Sequence, residues 1–217
     1  MPTEALIKQR KRMGEILIHL KREYPDSKCS LNYKSPFQLL VATILSAQCT
    51  DERVNKVTRK LFAKYPSAED FDKLSLDTIK KEIFSTGFYN NKAKSIKGMV
   101  KIVMERHGGQ LPDNLEDMVK LPGVGRKTAN VVLGNVYNIP SLVVDTHVTR
   151  ISNLLKFVKT RNAIKIEWKL MKIINQNDWT LFAHLLIDHG RAVCIANRPR
   201  CEVCIIATIC PSNKGGN

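Results

Sequence analysis

Two helical patterns meet at Leu121-Pro122-Gly123-Val124-Gly125-Arg126-Lys127-Thr128-Ala129, and this stretch decides the fold. The apolar spacing before it, through Leu115 and Met118, is helical, and so is the spacing after it to Gly134. Two glycines in so short a turn allow a positive φ and let the backbone approach a partner with no Cβ in the way. We therefore predict a helix, a tight hairpin and a second helix.

The second helix begins directly after the hairpin, so its first N–H groups have no partner within the helix. This helix end carries a partial positive charge and is a natural seat for a phosphate. Gly125-Arg126-Lys127-Thr128 also looks like the end of a nucleotide-binding P-loop, but that motif needs a strand before it and glycine directly before the lysine. Phosphate binding by the hairpin is the prediction, with an ordinary glycine-rich turn as the alternative.

The composition favours a polyanionic partner, because 35 Lys and Arg against 20 Asp and Glu give a formal net charge of +15. With 43% apolar and 25% charged residues, the chain is neither disordered nor of low complexity. It has no apolar run long enough to span a bilayer and no apolar signal core, so we expect a cytoplasmic protein. An organelle presequence is the alternative for the basic N-terminus, but Glu4 and Glu15 argue against it.

Two residues around the hairpin are candidates for chemistry. Lys127 lies in the first turn of the second helix, where a cation opposes the helix dipole by roughly 0.3 to 1 kcal/mol. An amine is a nucleophile only in its neutral form, which positive potential favours. Asp145, in Val143-Val144-Asp145-Thr146-His147, is by default the N-cap of a helix, and a cap can also accept a proton or stabilise a cationic transition state. A solvated lysine and a structural cap are the alternatives.

The rest of the chain follows the same helical period of 3.6 residues. Thr3 and Pro25 bound an amphipathic N-terminal helix, and Ser35-Pro36 opens a stripe that ends at Gln48. Further helices are predicted from an Asp51 cap, from Ser75, over 92 to 106, and near 145 to 155, 160 to 174 and 180 to 194. Val143 and Val144 form only a brief extended link, so the fold class is all-α.

Four of the six cysteines crowd into the last part of the chain as Cys194, Cys201, Cys204 and Cys210, spaced C-x6-C-x2-C-x5-C. Four thiolates in a reducing compartment predict a metal centre, and the spacing fits either tetrahedral zinc or an iron–sulfur cluster. The loop between the first two ligands presents Arg198 and Arg200, which suit phosphate contacts. Cys29 and Cys49 are predicted to pack as small apolar residues.

Together these motifs resemble the endonuclease III family of helix-hairpin-helix DNA glycosylases over nearly the whole chain. Leu121 to Val132 matches the hairpin motif, Val144-Asp145-Thr146-His147 the aspartate segment, and Ser46-Ala47-Gln48 with Asp51 an early helix-loop-helix. The resemblance implies a six-helix barrel domain over 29–139 and a discontinuous iron–sulfur domain made of 1–28 and 140–217, with the DNA cleft between them. It also implies a 4Fe–4S cluster, rather than zinc, on the four cysteines.

The resemblance further implies which residues act. Lys127 is expected to be the nucleophile and Asp145 its catalytic partner, and Gln48 is expected to fill the gap left by an extruded nucleotide. Phe88 stands where the family commonly has a leucine wedge, and Cys49 replaces the small residue usual after the glutamine. The expected DNA contacts are Gln48, Phe88, Gly123, Val124, Gly125, Arg126, His147, Arg198 and Arg200.

The expected function is that of a bifunctional DNA glycosylase and abasic-site lyase that removes oxidised pyrimidines from damaged duplex DNA. We expect a monomer that is cytoplasmic and associated with the nucleoid. One alternative is a monofunctional glycosylase for mismatched bases, but such relatives lack a lysine at the position of Lys127. The other is a non-catalytic DNA-binding metalloprotein, which would leave the pairing of Lys127 with Asp145 a coincidence.

Overall fold

The computed structural model describes residues 3–213, and throughout this range it contains helices and turns but no strand. The prediction of an all-α fold is therefore confirmed. Short 3₁₀ turns cover Phe84–Thr86, Gln176–Asp178, Cys201–Val203 and Ala207–Ile209. The α-helices are α1 (Glu4–Glu23), α2 (Pro36–Leu45), α3 (Asp51–Lys64), α4 (Ala68–Asp72), α5 (Leu76–Ile83), α6 (Tyr89–His107), α7 (Leu115–Met118), α8 (Arg126–Asn135), α9 (Thr146–Leu154), α10 (Ala163–Met171) and α11 (Trp179–Ala192).

The chain divides into two compact units. Cys29–Ile139 forms one of them, which we call the hairpin unit, and the described residues on either side of it form the other, which we call the cysteine unit. Neither unit contains, within residues 3–213, a helix that is both long enough and apolar enough to cross a membrane.

The hairpin unit is built around α2, in which every residue from Phe37 to Leu45 is buried. Ser35 caps this helix by accepting the Gln38 N–H, and Pro36 fills its first position, as the sequence predicts. The helix nevertheless ends at Leu45, so Gln48 lies beyond it and not at the end of its stripe. Helices α3, α6 and α8 pack on α2, and α4 and α5 pack on α6.

The start of α3 differs from the predicted one. Thr50, and not Asp51, is the N-cap, because its side chain accepts the Arg53 N–H at 3.3 Å. Asp51 is the first helical residue, and its carboxylate accepts a hydrogen bond from the Ser30 hydroxyl at 2.6 Å. The five-residue helix α4, which sequence periodicity missed, is fixed by a capping box between Ser67 and Asp70.

The cysteine unit packs α11 against both α1 and α9, and α10 against α9. Helix α1 begins at the predicted Thr3 cap and buries Met13, Ile16, Leu17 and Leu20. Helices α9 and α11 approach closely at Gly190, where a Cβ would lie 3.1 Å from the side chain of Ile151. The cysteine-bearing segment follows α11 and consists of loops and two 3₁₀ turns.

The two cysteines outside that segment behave as small apolar residues. Cys29 and Cys49 are half-buried and pack against the core of the hairpin unit, as predicted. Burial raises the pKa of the Cys29 thiol. Both are therefore parts of the hairpin-unit core.

Candidate active site and metal centre

The hairpin before α8 uses its two glycines differently. Gly123 has φ +77°, and a Cβ there would lie 2.6 Å from the Cβ of Ser95 on α6, so both the backbone and the packing require glycine. Gly125 has φ −87°, and a Cβ there would meet nothing within 4 Å. Only Gly123 therefore uses the positive φ that glycine allows, and Gly125 faces open space.

The first turn of α8 presents backbone amides and a lysine. Gly125 is the N-cap, and no side chain caps the helix. Lys127 is the second residue of α8 and is exposed, and Arg126 beside it is half-buried. Val124 is only 5% exposed and anchors the hairpin in the core, so its backbone and not its side chain is available to a ligand.

Two further exposed tips lie in the hairpin unit, each at a residue with left-handed backbone. Gln48 has φ 52° in the turn that follows α2, and Phe88 has φ 48° just before α6. The side chain of Phe88 is 62% exposed, and so is that of Phe84 in the 3₁₀ turn that precedes it. A non-glycine residue with positive φ stores strain, and such residues cluster at functional sites.

Asp145 belongs to the cysteine unit and is the N-cap of α9, as predicted. Its Oδ1 accepts the Val148 N–H at 2.8 Å, and the residue is half-buried. On the same helix, Nδ1 of His147 lies 3.4 Å from Nη2 of Arg150, and the His147 ring packs against Gly190. Lys127 is thus part of one unit and Asp145 and His147 of the other.

The four clustered cysteines line one cavity of about 610 Å³ in the cysteine unit. Within residues 3–213, however, no three His, Cys, Asp or Glu side chains are arranged to hold a single metal ion. Four thiols that line one cavity are a donor set that fits an iron–sulfur group, and by donor chemistry alone they also fit zinc.

Burial raises the pKa of Cys194 and of Cys204, and the neighbouring cysteines raise both further. At Cys194 the charge and hydrogen bond of the Arg150 guanidinium offset part of this rise in the pKa. Nη1 of Arg150 donates to the Cys194 carbonyl at 2.6 Å and to its Sγ at 3.5 Å. A cation thus reaches the first of the four cysteines.

His189, on α11, reaches another of the four. Its Nε2 lies 3.6 Å from Sγ of Cys204, and its Nδ1 lies 3.1 Å from the hydroxyl of Tyr24. Burial, and then the charge of Arg150, lower the pKa of His189 to about 4. No local sequence pattern could have revealed this contact, because Tyr24 lies at the end of α1, far away in the sequence.

Helix α1 also supports the last part of the cysteine loop. Nη2 of Arg12 donates to the Leu155 carbonyl at 2.7 Å, and Nη1 donates to the Ile209 carbonyl at 3.4 Å, one residue before Cys210. The guanidinium carbon lies 4.2 Å from the centre of the Phe157 ring. A side chain from the start of the chain therefore holds the segment that carries the fourth cysteine.

The predicted arginine loop is present between Cys194 and Cys201. The Arg200 N–H donates to the Val193 carbonyl at 3.0 Å and closes the loop at its base. Arg198 and Arg200 are both exposed. The loop thus offers two cationic side chains to solvent from a fixed base.

Comparisons with known proteins agree with this architecture. Residues 41–176 match the HhH-GPD superfamily of base excision DNA repair proteins. Endonuclease III of Synechocystis sp. is 50% identical over 205 residues, which are 94% of each chain. Two solved structures, a non-covalent endonuclease III–DNA complex and a trapped endonuclease III–DNA covalent intermediate, each superpose with a TM-score of 0.90 at 38% identity, covering 99% of this chain and 98% of theirs.

Proposed function

Because the chain belongs to the endonuclease III family of HhH-GPD base excision DNA repair proteins, we propose that it excises oxidised pyrimidines from duplex DNA. It is a bifunctional DNA glycosylase and abasic-site lyase. The boundaries of the hairpin unit support its assignment as the helix-hairpin-helix barrel domain, and the cysteine unit is then the iron–sulfur domain.

One observation carries the assignment of the nucleophile: Lys127 is an exposed lysine in the uncapped first turn of α8. A cation in that position opposes the helix dipole, so the fold gains nothing from it electrostatically. The amine that attacks carbon must be accessible to the sugar, and the exposed side chain of Lys127 meets that requirement. The position therefore suits a nucleophile better than a structural lysine.

The proposed reaction begins when the damaged nucleotide is extruded from the base stack. Nζ of Lys127 attacks C1′ of the sugar, the C1′–N bond breaks, and the base departs with the bonding electron pair. One amine proton passes to the departing base and the other to O4′ as the sugar ring opens, which leaves an imine between Lys127 and C1′. Loss of a C2′ proton then expels the 3′ phosphate by β-elimination.

Asp145 is assigned to the charge and proton steps of this reaction. A carboxylate beside the sugar stabilises the positive charge that develops as the base leaves, and it can accept a proton from the attacking amine. Its role as the N-cap of α9 is compatible with this, because only Oδ1 accepts the Val148 N–H. The cap holds the carboxylate in one orientation before substrate binds.

The DNA backbone is assigned to the hairpin amides, Arg126 and the exposed pair Arg198 and Arg200. A net charge of +15 supplies the general attraction for a polyanion, and the open space at Gly125 lets a phosphate approach the amides of α8. Gln48 and Phe88 are assigned to the gap that the extruded nucleotide leaves. His147 is assigned to the DNA as well, on the face of its ring away from Gly190.

The cysteine cavity is assigned to a 4Fe–4S cluster with Cys194, Cys201, Cys204 and Cys210 as ligands. Such a group, when bound, cross-links the loop and serves the structure, not the hydrolytic chemistry. Arg150 donates to the thiol of Cys194, and Nε2 of His189 lies beside the thiol of Cys204, so polar groups of the protein surround two of the four proposed ligands. The loop that carries Arg198 and Arg200 depends on this cross-link.

Borohydride trapping tests the proposed function. The purified protein is mixed with a duplex carrying one thymine glycol, and with an undamaged duplex, in the presence of borohydride, which reduces an imine to a stable amine. We expect a covalent adduct on the damaged strand alone. The control is a known lyase that gives an adduct with the same duplex. If the protein retains its visible cluster absorption but gives neither adduct nor free base with this lesion, the proposed substrate is contradicted.

A further inference from the structure

Lys92 is a buried lysine in the first turn of α6, and none of the steps above uses it. It is only 5% exposed, and lysine is almost never buried unless its charge is paired. Its Nζ donates to two backbone carbonyls, that of Leu45 at 2.7 Å and that of Thr86 at 2.8 Å. Burial lowers the pKa of this ammonium, so the fold keeps it at an energetic cost.

The two carbonyls have the same structural origin. Leu45 is the last residue of α2, and Thr86 is the last residue of the 3₁₀ turn Phe84–Thr86. Carbonyls at the end of a helix lack partners within it and carry partial negative charge. One ammonium therefore connects the end of α2 to the end of the 3₁₀ turn, which are far apart in sequence.

Each tied end leads directly into one of the exposed tips. Gln48, with φ 52°, follows Leu45 by three residues, and Gly87 and Phe88, with φ 69° and 48°, follow Thr86. Left-handed backbone at non-glycine residues persists only when its surroundings hold it. The lysine provides such a constraint for both tips at once.

We propose that Lys92 is a positioning residue that holds the Gln48 tip and the Phe88 tip in one arrangement, so that both enter the base stack together at a damaged nucleotide. This rests on the proposed function, which assigns the two tips to DNA. Two independently mobile tips would each lose conformational freedom on binding, whereas tips that are already tied lose less. Lys92 thus contributes to damage recognition without touching DNA.

The tie itself is tested in the protein without DNA, by hydrogen exchange of Lys92→Met. We expect amide exchange to become about tenfold faster in both 46–49 and 86–89, since two charge-assisted hydrogen bonds are lost. Lys97→Met is the matched control, because Lys97 also lies on α6 and donates to a backbone carbonyl, that of Asp72, at 2.6 Å. Faster exchange in only one of the two segments, or equally fast exchange in the control, would overturn the tie.

The role in recognition is tested with a duplex that carries a tetrahydrofuran abasic analogue opposite 2-aminopurine. The ratio of affinities for this duplex and for an undamaged one reports recognition, and 2-aminopurine fluorescence reports unstacking. We expect Lys92→Met to lower this ratio about tenfold and to reduce the increase in 2-aminopurine fluorescence. Its affinity for undamaged DNA should be unchanged. In the Lys97→Met control, both the ratio and the fluorescence increase should stay at their wild-type values. An unchanged ratio would refute the positioning role.

A thermodynamic cycle separates positioning from general stability. In a Gln48→Ala, Phe88→Ala background, Lys92→Met should change the ratio by less than about twofold, because the tips through which it acts are gone. If Lys92→Met lowers the affinity ratio equally in both backgrounds, Lys92 has only a general structural role. If removing the tips leaves the ratio of the wild type unchanged, the proposed DNA role of the tips fails as well. If Lys92→Met does not fold, the same cycle is measured with Lys92→Gln, whose shorter, uncharged side chain lacks the ammonium that binds both carbonyls.

Discussion

The hairpin and the cysteine loop are both candidate functional sites, but they are built in opposite ways. At the hairpin, the residues from Gly123 to Lys127 are positioned by their own backbone: one left-handed glycine, one N-cap and the first turn of α8. In the cysteine loop, the four cysteines are close in sequence, but the side chains that hold the loop come from α1, α9 and α11.

This difference predicts how each site responds to mutation. A side-chain change at the exposed first turn of α8 removes a functional group and leaves the packing of the hairpin unit intact. A change at the cysteine loop removes a link between distant segments, so it alters stability before it alters chemistry. The two sites can therefore be separated by measuring reaction and unfolding in parallel.

The largest effect on the reaction is expected at the hairpin, from Lys127→Gln. Gln has no nucleophilic amine, so we expect borohydride trapping on the thymine glycol duplex to fall by at least about 10³-fold. Affinity for an abasic analogue and the unfolding midpoint should stay close to those of the wild type, because Lys127 is exposed.

Lys120→Gln is the matched control for this change. Lys120 is an exposed lysine just before the same hairpin, and its Nζ donates to Asp117 at 2.8 Å. We expect it to retain full trapping. Trapping that survives in Lys127→Gln would move the nucleophile to another amine, and mapping the adduct by mass spectrometry would identify it.

The largest effect on stability is expected in the cysteine unit, from Cys204→Ser. Loss of one proposed ligand should weaken the proposed cluster, and because metal binding is coupled to folding, we expect the free energy of unfolding to fall by more than about 3 kcal/mol. Iron content and visible absorption should fall in parallel. Cys29→Ala, a cysteine of the hairpin-unit core, should keep both, and an iron content that is unchanged in Cys204→Ser would exclude this ligand.

Asp145 has both a structural and a proposed chemical role, because it is a helix cap and a candidate catalytic carboxylate. Asparagine caps a helix about as well as aspartate, so Asp145→Asn should keep the unfolding midpoint and slow single-turnover base release by about 10² to 10⁴-fold. Asp145→Ala should slow it similarly and also lower stability by about 1 kcal/mol. Unchanged base release in Asp145→Asn would reduce the residue to its cap.

The same contrast explains what the sequence could predict. Several helix starts depend only on neighbours within one helical turn, so the sequence predicts them. They are the Thr3 cap of α1, the Ser35–Pro36 start of α2, the start of α8 and the Asp145 cap of α9. The four cysteines are recognisable for the same reason. Each of these features depends on residues within a short stretch of chain.

The features that the sequence did not reveal depend on distant partners or on backbone geometry. The contact of His189 with Tyr24 and Cys204 requires α1 to pack on α11, and Lys92 is tied to the end of α2 only in the folded unit. The φ of Gly125 could not be deduced either, since glycine permits both signs. Periodicity identifies helices, but it does not say which carbonyl a long side chain reaches.

Substitutions at the two hairpin glycines remove no reacting group, and they separate the requirements of the fold from those of the ligand. Gly123→Ala must place a Cβ at φ +77° and against Ser95, so we expect it to lower the free energy of unfolding by about 2 kcal/mol. Gly125→Ala meets no neighbour, and its lower entropy in the unfolded chain offsets alanine's weaker capping, so stability should change by less than about 0.5 kcal/mol.

Affinity for DNA should show the reverse order among variants that remain folded. The new Cβ of Gly125→Ala enters the open space before the amides of α8, where a phosphate is proposed to bind, so affinity at fixed salt should fall about tenfold. Urea unfolding and a binding titration on the same samples give both numbers. If Gly125→Ala binds DNA like the wild type, the α8 amides are not the phosphate site, and the exposed arginines remain to hold the backbone.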